Sequence, residues 1–340
     1  MHMADALLSP VVGGTYWAVS ASLIGWSAKK ISRESDGSKT VLMGVLGAFV
    51  FAAQMINFTI PGTGSSGHFG GGLLLAILLG PWRAFVTLAS VLVIQALFFA
   101  DGGLLALGCN IFNMAFFPAF IAWPFIYRTI AGNGASPARL AAGSITAASA
   151  GLLMGAMSVV LQTTLSAISD LPFGTFVLFM LPIHLAIGIV EGLVTWAVLT
   201  FVAKTEPSLL TGQCMPYKRG FIATALLVAA MVTGSMLSLF ASTHPDGLEW
   251  SMAKTSGKTE LPTPPETVHT LLASVQEQMA FLPGYDFRRQ NNPGPGSVTP
   301  DSPVNPGTSI SGLAGSLMVL MLSGSAGFLF KKRSSHTGGS

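Results

Sequence analysis

The sequence predicts an all-α, polytopic membrane protein, and three observations carry that prediction. Apolar residues make up 51% of the 340 and charged residues only 9%, far below the roughly 25% charge of a soluble domain. The mean hydropathy is +0.63. Apolar runs approaching the ~20 residues that a crossing needs recur along the whole chain. The 39 glycines fit helices that pack closely in lipid, where small residues let backbones approach.

The first run, Val11–Trp26, follows an opening MHMADALLSP, and no Lys or Arg occurs before Lys29. A cleavable signal carries basic residues ahead of its apolar stretch and a small-residue cleavage site behind it. The expectation is that this end is retained and its amine stays free. Further runs are Val41–Ile60, Ala84–Ala100, Leu104–Tyr127, Leu140–Ala167, Phe173–Val202, Phe221–Ala241 and Ile310–Phe330. Gly70–Leu79 is too short to cross comfortably, and GPWR parts it from the next run. It is counted as a crossing because of the charges. With nine crossings and the N-terminus outside, only Lys254, Lys258, Arg288 and Arg289 of the 17 basic residues lie outside, as the positive-inside rule requires. Without that crossing the later loops would swap sides and the bias would break down midway. The C-terminus is then cytoplasmic.

Two parts are expected. Residues 1–210 form a seven-segment bundle with short loops. Residues 211–340 add two helices flanking an outer loop, 242–309, that holds half of the 20 prolines and runs such as NNPGPGSVTPDSPVNPG. Such a composition buries too little apolar surface to fold firmly, so much of the loop is expected to be mobile. The net charge of +3 follows the membrane sidedness rather than gathering into a patch, which excludes nucleic acid as a partner. Cys109 lies in an apolar run and Cys214 in a polar loop. Neither has a Cys neighbour for a metal site, and both are read as structural.

The residues that could carry chemistry gather outside. The loop PGTGSSGHFGGG places His68 among six glycines in twelve residues, more than a connector needs, since Gly serves positive φ and close backbone approach. It nearly imitates a phosphate-binding loop, but His68 and Phe69 stand where Lys and Ser/Thr are required. A free amine, the next amide nitrogen and the imidazole of His2 can grip one metal ion through a five- and then a six-membered chelate ring. His68 can complete the square. Planar nitrogen coordination points to Ni(II) or Cu(II). His184 and Glu191, seven residues apart in PIHLAIGIVEGL, share one helix face. Ionisable groups inside a membrane segment are costly and mark function, so the two read either as a proton or ion relay or as a buried polar pair locking helices. Asp101 is expected at the end of its span, with Asn110 and Asn113 hydrogen-bonding between helices. The 15 methionines are scattered and read as core packing.

MHMADALLSP, FAAQMINF, GTGSSGHFGGGLLLAILLGPW, QALFFADGGLLALGCNIFNMAF and HLAIGIVEGLVT resemble the CbiM/NikM family, the substrate-binding (S) subunits of energy-coupling-factor ABC transporters for cobalt and nickel. The resemblance covers residues 1 to 205. THPDGLEWS and FLPGYDF resemble the PDGLE-type, NikN-like accessory region, here fused behind it. One departure is Met3-Ala4-Asp5 after His2, where many members have an aliphatic residue and then Pro or Glu. The resemblance implies a metal site of the Met1 amine, the His2 amide and imidazole, and the His68 imidazole, with Ni(II) or Co(II) as transported substrate and no permanently bound cofactor. It also implies a coupling transmembrane (T) subunit and cytoplasmic ATPase subunits as partners, in the cell membrane of a prokaryote. The chain itself is then a transporter subunit rather than an enzyme; no Walker A, HExxH or nucleophile–base spacing occurs in it. The alternative is a proton-coupled secondary transporter working through His184 and Glu191.

Overall fold

The computed structural model describes residues 1–34, 38–132, 136–211, 219–258, 261–262, 264–287 and 306–330. Cys214 and residues 288–305 of the Pro-rich stretch lie outside the described residues. The helices are α1 (Pro10–Ile31), α2 (Ser38–Gln54), α3 (Gly72–Leu79), α4 (Pro81–Phe99), α5 (Leu107–Ala131), α6 (Pro137–Ser166), α7 (Phe173–Thr205), α8 (Ser208–Thr211), α9 (Arg219–Ser235), α10 (Gly247–Ser256), α11 (Thr267–Met279) and α12 (Pro306–Phe330). A small antiparallel hairpin, β1 (Phe58–Ile60) and β2 (Ser65–Gly67), pairs Thr59 with Ser66.

Every expected apolar run contains a helix. Among the described residues five helices, α4 to α7 and α12, are long and apolar enough to cross a membrane, while α2 and α9 are shorter. The local starts are written in the sequence. Ser9 caps α1, its hydroxyl accepting from Val12 N at 3.4 Å, and Pro10 stands at the first helical position, where its missing N–H costs nothing. Ser136 and Pro137 repeat the device at α6. In α5, residues Phe112–Tyr127 run in π-helical geometry around Pro118 and Pro124, which lack the N–H an α-helical ladder needs.

The short run is a separate leg. α3 has eight residues, about 12 Å of helix, and ends at Gly80, whose φ of +84° turns the chain before Pro81 restarts it. Just past that turn Trp82 lies under the Lys30 ammonium, 5.6 Å from the ring centroid, and Arg83 pairs with Glu34. The far end of α4 leads to Asp101, beside His2. Chain direction therefore reverses at Gly80, and α1 and α4 run antiparallel.

Small residues set the helix spacing. A Cβ on Gly188 of α7 would lie 2.6 Å from Ser149 Cα of α6, and one on Gly108 of α5 would lie 2.6 Å from Trp17 Cα of α1. The C-terminal helices dock on the bundle by the same means: a Cβ on Gly44 of α2 would meet the Leu320 carbonyl of α12 at 2.8 Å. Leu178, Leu185 and Leu193 of α7 and Phe328 of α12 face outward, as lipid-facing side chains do.

The expectation of a largely mobile outer loop is corrected over its described part. Residues 264–287 and most of 242–262 fold onto the end of the bundle that carries Met1. Leu248, Met252, His269 and Leu282 are buried there. Trp250 Nε1 donates to Thr63 O at 2.9 Å, Ser66 N to Pro245 O at 2.8 Å, and Gln276 Nε2 to Gly102 O at 2.8 Å. The partners sit on loops far away in sequence, so local composition gave no hint of them.

Candidate metal centre

The N-terminus is threaded into the bundle. Met1, Met3, Leu7 and Leu8 are buried, which explains an apolar opening whose helical part is a single 3-10 turn, Asp5–Leu7. Met3 is held on both sides: its N–H donates to Asn110 Oδ1 at 2.8 Å, and its carbonyl accepts from Gly103 N at 2.9 Å and Asn110 Nδ2 at 3.2 Å. The Asp5 carboxylate accepts from Ala106 N at 2.9 Å, and the His269 ring reaches the Leu8 carbonyl at 2.9 Å. Asn113 pairs with Gln162 through bonds of 2.7 and 2.9 Å. Asn113 thus bonds between helices, as expected, whereas Asn110 holds the backbone of the N-terminal segment instead.

His2 is fixed by a relay of amides. Gln54 Nε2 donates to Gly70 O at 2.9 Å, and Gln95 Nε2 donates to Gln54 Oε1 at 2.8 Å. Gln95 Oε1 is left as the acceptor 3.2 Å from His2 Nε2, so that nitrogen carries the hydrogen. The lone pair is then on Nδ1, the atom a chelate through the His2 amide needs; such outer partners fix the tautomer of a metal-binding imidazole. Asp101 Oδ1 is 3.4 Å from Nδ1, and Tyr285 donates its hydroxyl to Asp101 Oδ2 at 2.5 Å. Burial lowers the His2 pKa, with Asp101 opposing.

His68 stacks on His2, with ring centroids 5.3 Å apart and planes 24° from parallel. Its Nδ1 faces the Phe69 carbonyl at 3.3 Å, so that nitrogen is the donor and Nε2 keeps its lone pair. Burial, the N-terminal charge and His2 together push its pKa down to about 4, so the ring is neutral at physiological pH. The loop that carries it is pinned from beneath: Glu191 of α7 accepts from Gly70 N and Gly71 N, each at 3.2 Å. A Cβ on Gly70 would lie 2.6 Å from Glu191 Oε2, and Gly71 takes a φ of +79° to start α3. Gly71 requires glycine for its backbone, and at Gly70 a Cβ would push the Glu191 carboxylate aside.

His184 and Glu191 do not form the pair that their spacing invited. His184 donates Nδ1–H to Met180 O at 2.7 Å within its own helix, and its Nε2 has no partner. Glu191 instead locks the His68 loop. Both line a cavity of about 30 Å³ together with Met1, His68, Asn113 and Asp246, room for roughly two water molecules.

Asp246 is the site residue that the sequence reading missed. It caps α10, its Oδ1 accepting from Leu248 N at 2.8 Å and Glu249 N at 2.9 Å. Its Oδ2 meets the Met1 amine at 3.2 Å. Burial alone would raise its pKa, but the N-terminal charge and the Glu249 N–H outweigh that and hold the carboxyl well below the usual range. One signal was available. Asp246-Gly-Leu-Glu249 is a capping-box spacing, which marks an ordered helix start inside the loop. Gln95, Gln54 and Tyr285 gave no signal, because their roles exist only through contacts across the fold.

Among the described residues, no three His, Cys, Asp or Glu side chains are close enough to hold an ion by themselves. The groups that the fold brings together at this end are the Met1 amine, Asp246 and the stacked rings of His2 and His68.

Comparison with known proteins bears on both parts of the chain. Residues 2–209 match the CbiM family model, described as a cobalt uptake substrate-specific transmembrane region, and residues 219–332 match the PDGLE domain. A relative from Archaeoglobus fulgidus, named as a fused nickel transport protein NikMN, is 36% identical over 246 residues, 71% of this chain and 77% of its own. The fused nickel transport protein NikMN of Rhodobacter capsulatus is 30% identical over 228 residues, 64% of this chain and 65% of its own. A crystal structure of a transition metal transporter superposes with a TM-score of 0.54 at 30% identity, covering 62% of this chain and 97% of that one.

Proposed function

Because the chain belongs to the CbiM family of cobalt-uptake substrate-specific transmembrane proteins, with a PDGLE domain fused behind it, we propose that it captures Ni(II) or Co(II) at the outer face and passes it inward as the substrate-specific subunit of an ATP-driven transporter. The observation that carries this reading is the juxtaposition of the Met1 amine, His2 and a neutral His68 at one buried end of a multi-pass bundle. The ion is held by the Met1 amine, the deprotonated His2 amide, His2 Nδ1 and His68 Nε2. A planar set of four nitrogens favours Ni(II).

Residues 1–210 are the metal-capturing bundle, and 211–340 are an accessory region, of which α10 and the residues around it lie over the site. The N-terminus is outside and the C-terminus cytoplasmic, in keeping with Lys29, Lys30 and Arg83 at the opposite end from Met1. A coupling T subunit and cytoplasmic ATPases supply the energy. His184 and Glu191 make separate hydrogen bonds rather than one to each other, which supports metal capture over the proton-relay alternative.

The test is uptake of radiolabelled Ni(II) by cells expressing the chain together with a coupling subunit and ATPases. A chain with an uncleaved N-terminal extension of several residues should take up less than a tenth of the wild-type amount, and an inactive ATPase should abolish uptake. Normal uptake by the extended chain would remove the amine from the site and overturn the proposed ligand set.

A further inference from the structure

Asp246 is joined to the first residue across 245 positions of sequence. Its carboxylate is divided between two tasks: Oδ1 is taken by the two N–H groups that start α10, and Oδ2 is left to the Met1 amine. The Met1 and Asp246 side chains are 7% and 19% exposed, so the charges they carry are largely removed from water. Gly247 behind it is packed on α7, where a Cβ would lie 3.1 Å from His184 Cε1. The carboxylate thus has little room to move away. The other carboxylate near His2, Asp101, is more exposed at 25% and is hydrogen-bonded by Tyr285.

Charge accounting then decides what Asp246 does once an ion is present. Without metal, the ammonium of Met1 and the Asp246 carboxylate cancel. An ion held as proposed above displaces one proton from the amine and one from the His2 amide. A divalent cation, an anionic amide and the Asp246 carboxylate again sum to zero. Without the Asp246 carboxylate the amine would lose its direct anionic partner, and Asp101, on the His2 ring, would be left as the one carboxylate beside the loaded centre, a loss of compensating charge that a low-dielectric site disfavours. A metal-bound amine keeps two hydrogens, one of which can still be donated to Oδ2.

We infer that Asp246 is a positioning residue of the metal site, its carboxylate holding the N-terminal amine in place before loading and, as its hydrogen-bonded anionic partner, neutralising the loaded centre. The inference rests on the ligand set proposed above. It assigns the accessory region a direct part in metal capture: the cap of α10 supplies a group outside the ion's own ligands. Outer partners of this kind change metal affinity by about 10–100-fold.

The experiment uses the full chain in detergent, Ni(II) as the probe, titration calorimetry for affinity and the visible band of planar Ni(II) for geometry. Asp246→Asn keeps a side chain that caps helices well but removes the charge. It should leave the thermal midpoint of the metal-free protein within a few degrees while weakening Ni(II) binding at least tenfold. Asp246→Glu should recover part of that loss, which a purely structural cap would not do. Glu249→Ala, which removes the side chain that accepts from Asp246 N without touching the amine contact, should bind like wild type and show that the capping box itself is not the cause. His68→Ala and an N-terminally acetylated chain report on the underlying ligand set. If both of these bind Ni(II) normally, that set is wrong. If they lose binding while Asp246→Asn keeps wild-type affinity, the ligand set stands and the role given to Asp246 is overturned.

Discussion

A histidine becomes a useful ligand only when its neighbours decide which nitrogen holds the proton. Here Gln95 takes the His2 Nε2 hydrogen and the Phe69 carbonyl takes that of His68 Nδ1, so two different nitrogens are left bare. Replacing Gln95 with Leu should therefore weaken Ni(II) binding severalfold with no ligand removed, measured by calorimetry; unchanged affinity would show that the tautomer is set elsewhere. His68 also makes a stability prediction. Its pKa lies near 4 in the fold against an ordinary 6.5, so the unfolded chain takes up a proton first. The stabilising contribution of the neutral ring is complete above about pH 6.5 and is lost as the pH falls towards 4. Metal-free His68→Gln should accordingly lose less of its thermal midpoint between pH 7.5 and pH 5 than wild type does. The ligand candidates were legible at this scale, because residue type and position suffice to name them. Their supporting partners were not: nothing in a linear sequence links Gln95 to His2, or Asp246 to Met1.

Helices and loops carry the geometry through glycine. Gly188 admits Ser149 against the α7 backbone, and Gly70 admits the Glu191 carboxylate under the His68 loop. The two positions should fail differently. Gly188→Leu overpacks a backbone crossing and should cost about 1–3 kcal/mol, seen as a lower thermal midpoint with or without metal. Gly70→Ala displaces only the loop and its carboxylate, and should weaken Ni(II) binding while changing the metal-free midpoint less. Equal behaviour of the two variants in both assays would contradict this division. At this scale the apolar runs located every long helix, and the charge bias made α3 a leg of its own. The folded part of 242–287 was missed because Pro content and polarity are averages. Buried side chains such as Leu248, His269 and Leu282, with a capping box, decide the outcome there.

The molecule as a whole is polarised. The candidate site and the accessory helices α10 and α11 lie at one end, while Lys29, Lys30, Arg33 and Arg83 lie at the other. In a background without native cysteines, Lys258→Cys should react with an impermeant thiol reagent on intact cells, and Lys29→Cys only after permeabilisation. Labelling of both from outside would refute the proposed orientation. The contact between Met1 and Asp246 also has a meaning in time. A ribosome makes Met1 245 residues before the carboxylate that faces it. Through most of translation the pocket at the N-terminal end lacks its cover, and Met1 has no anionic partner from α10. Closure is thus a late event in biogenesis, and a nascent chain halted before α10 presents its amine unguarded to the medium.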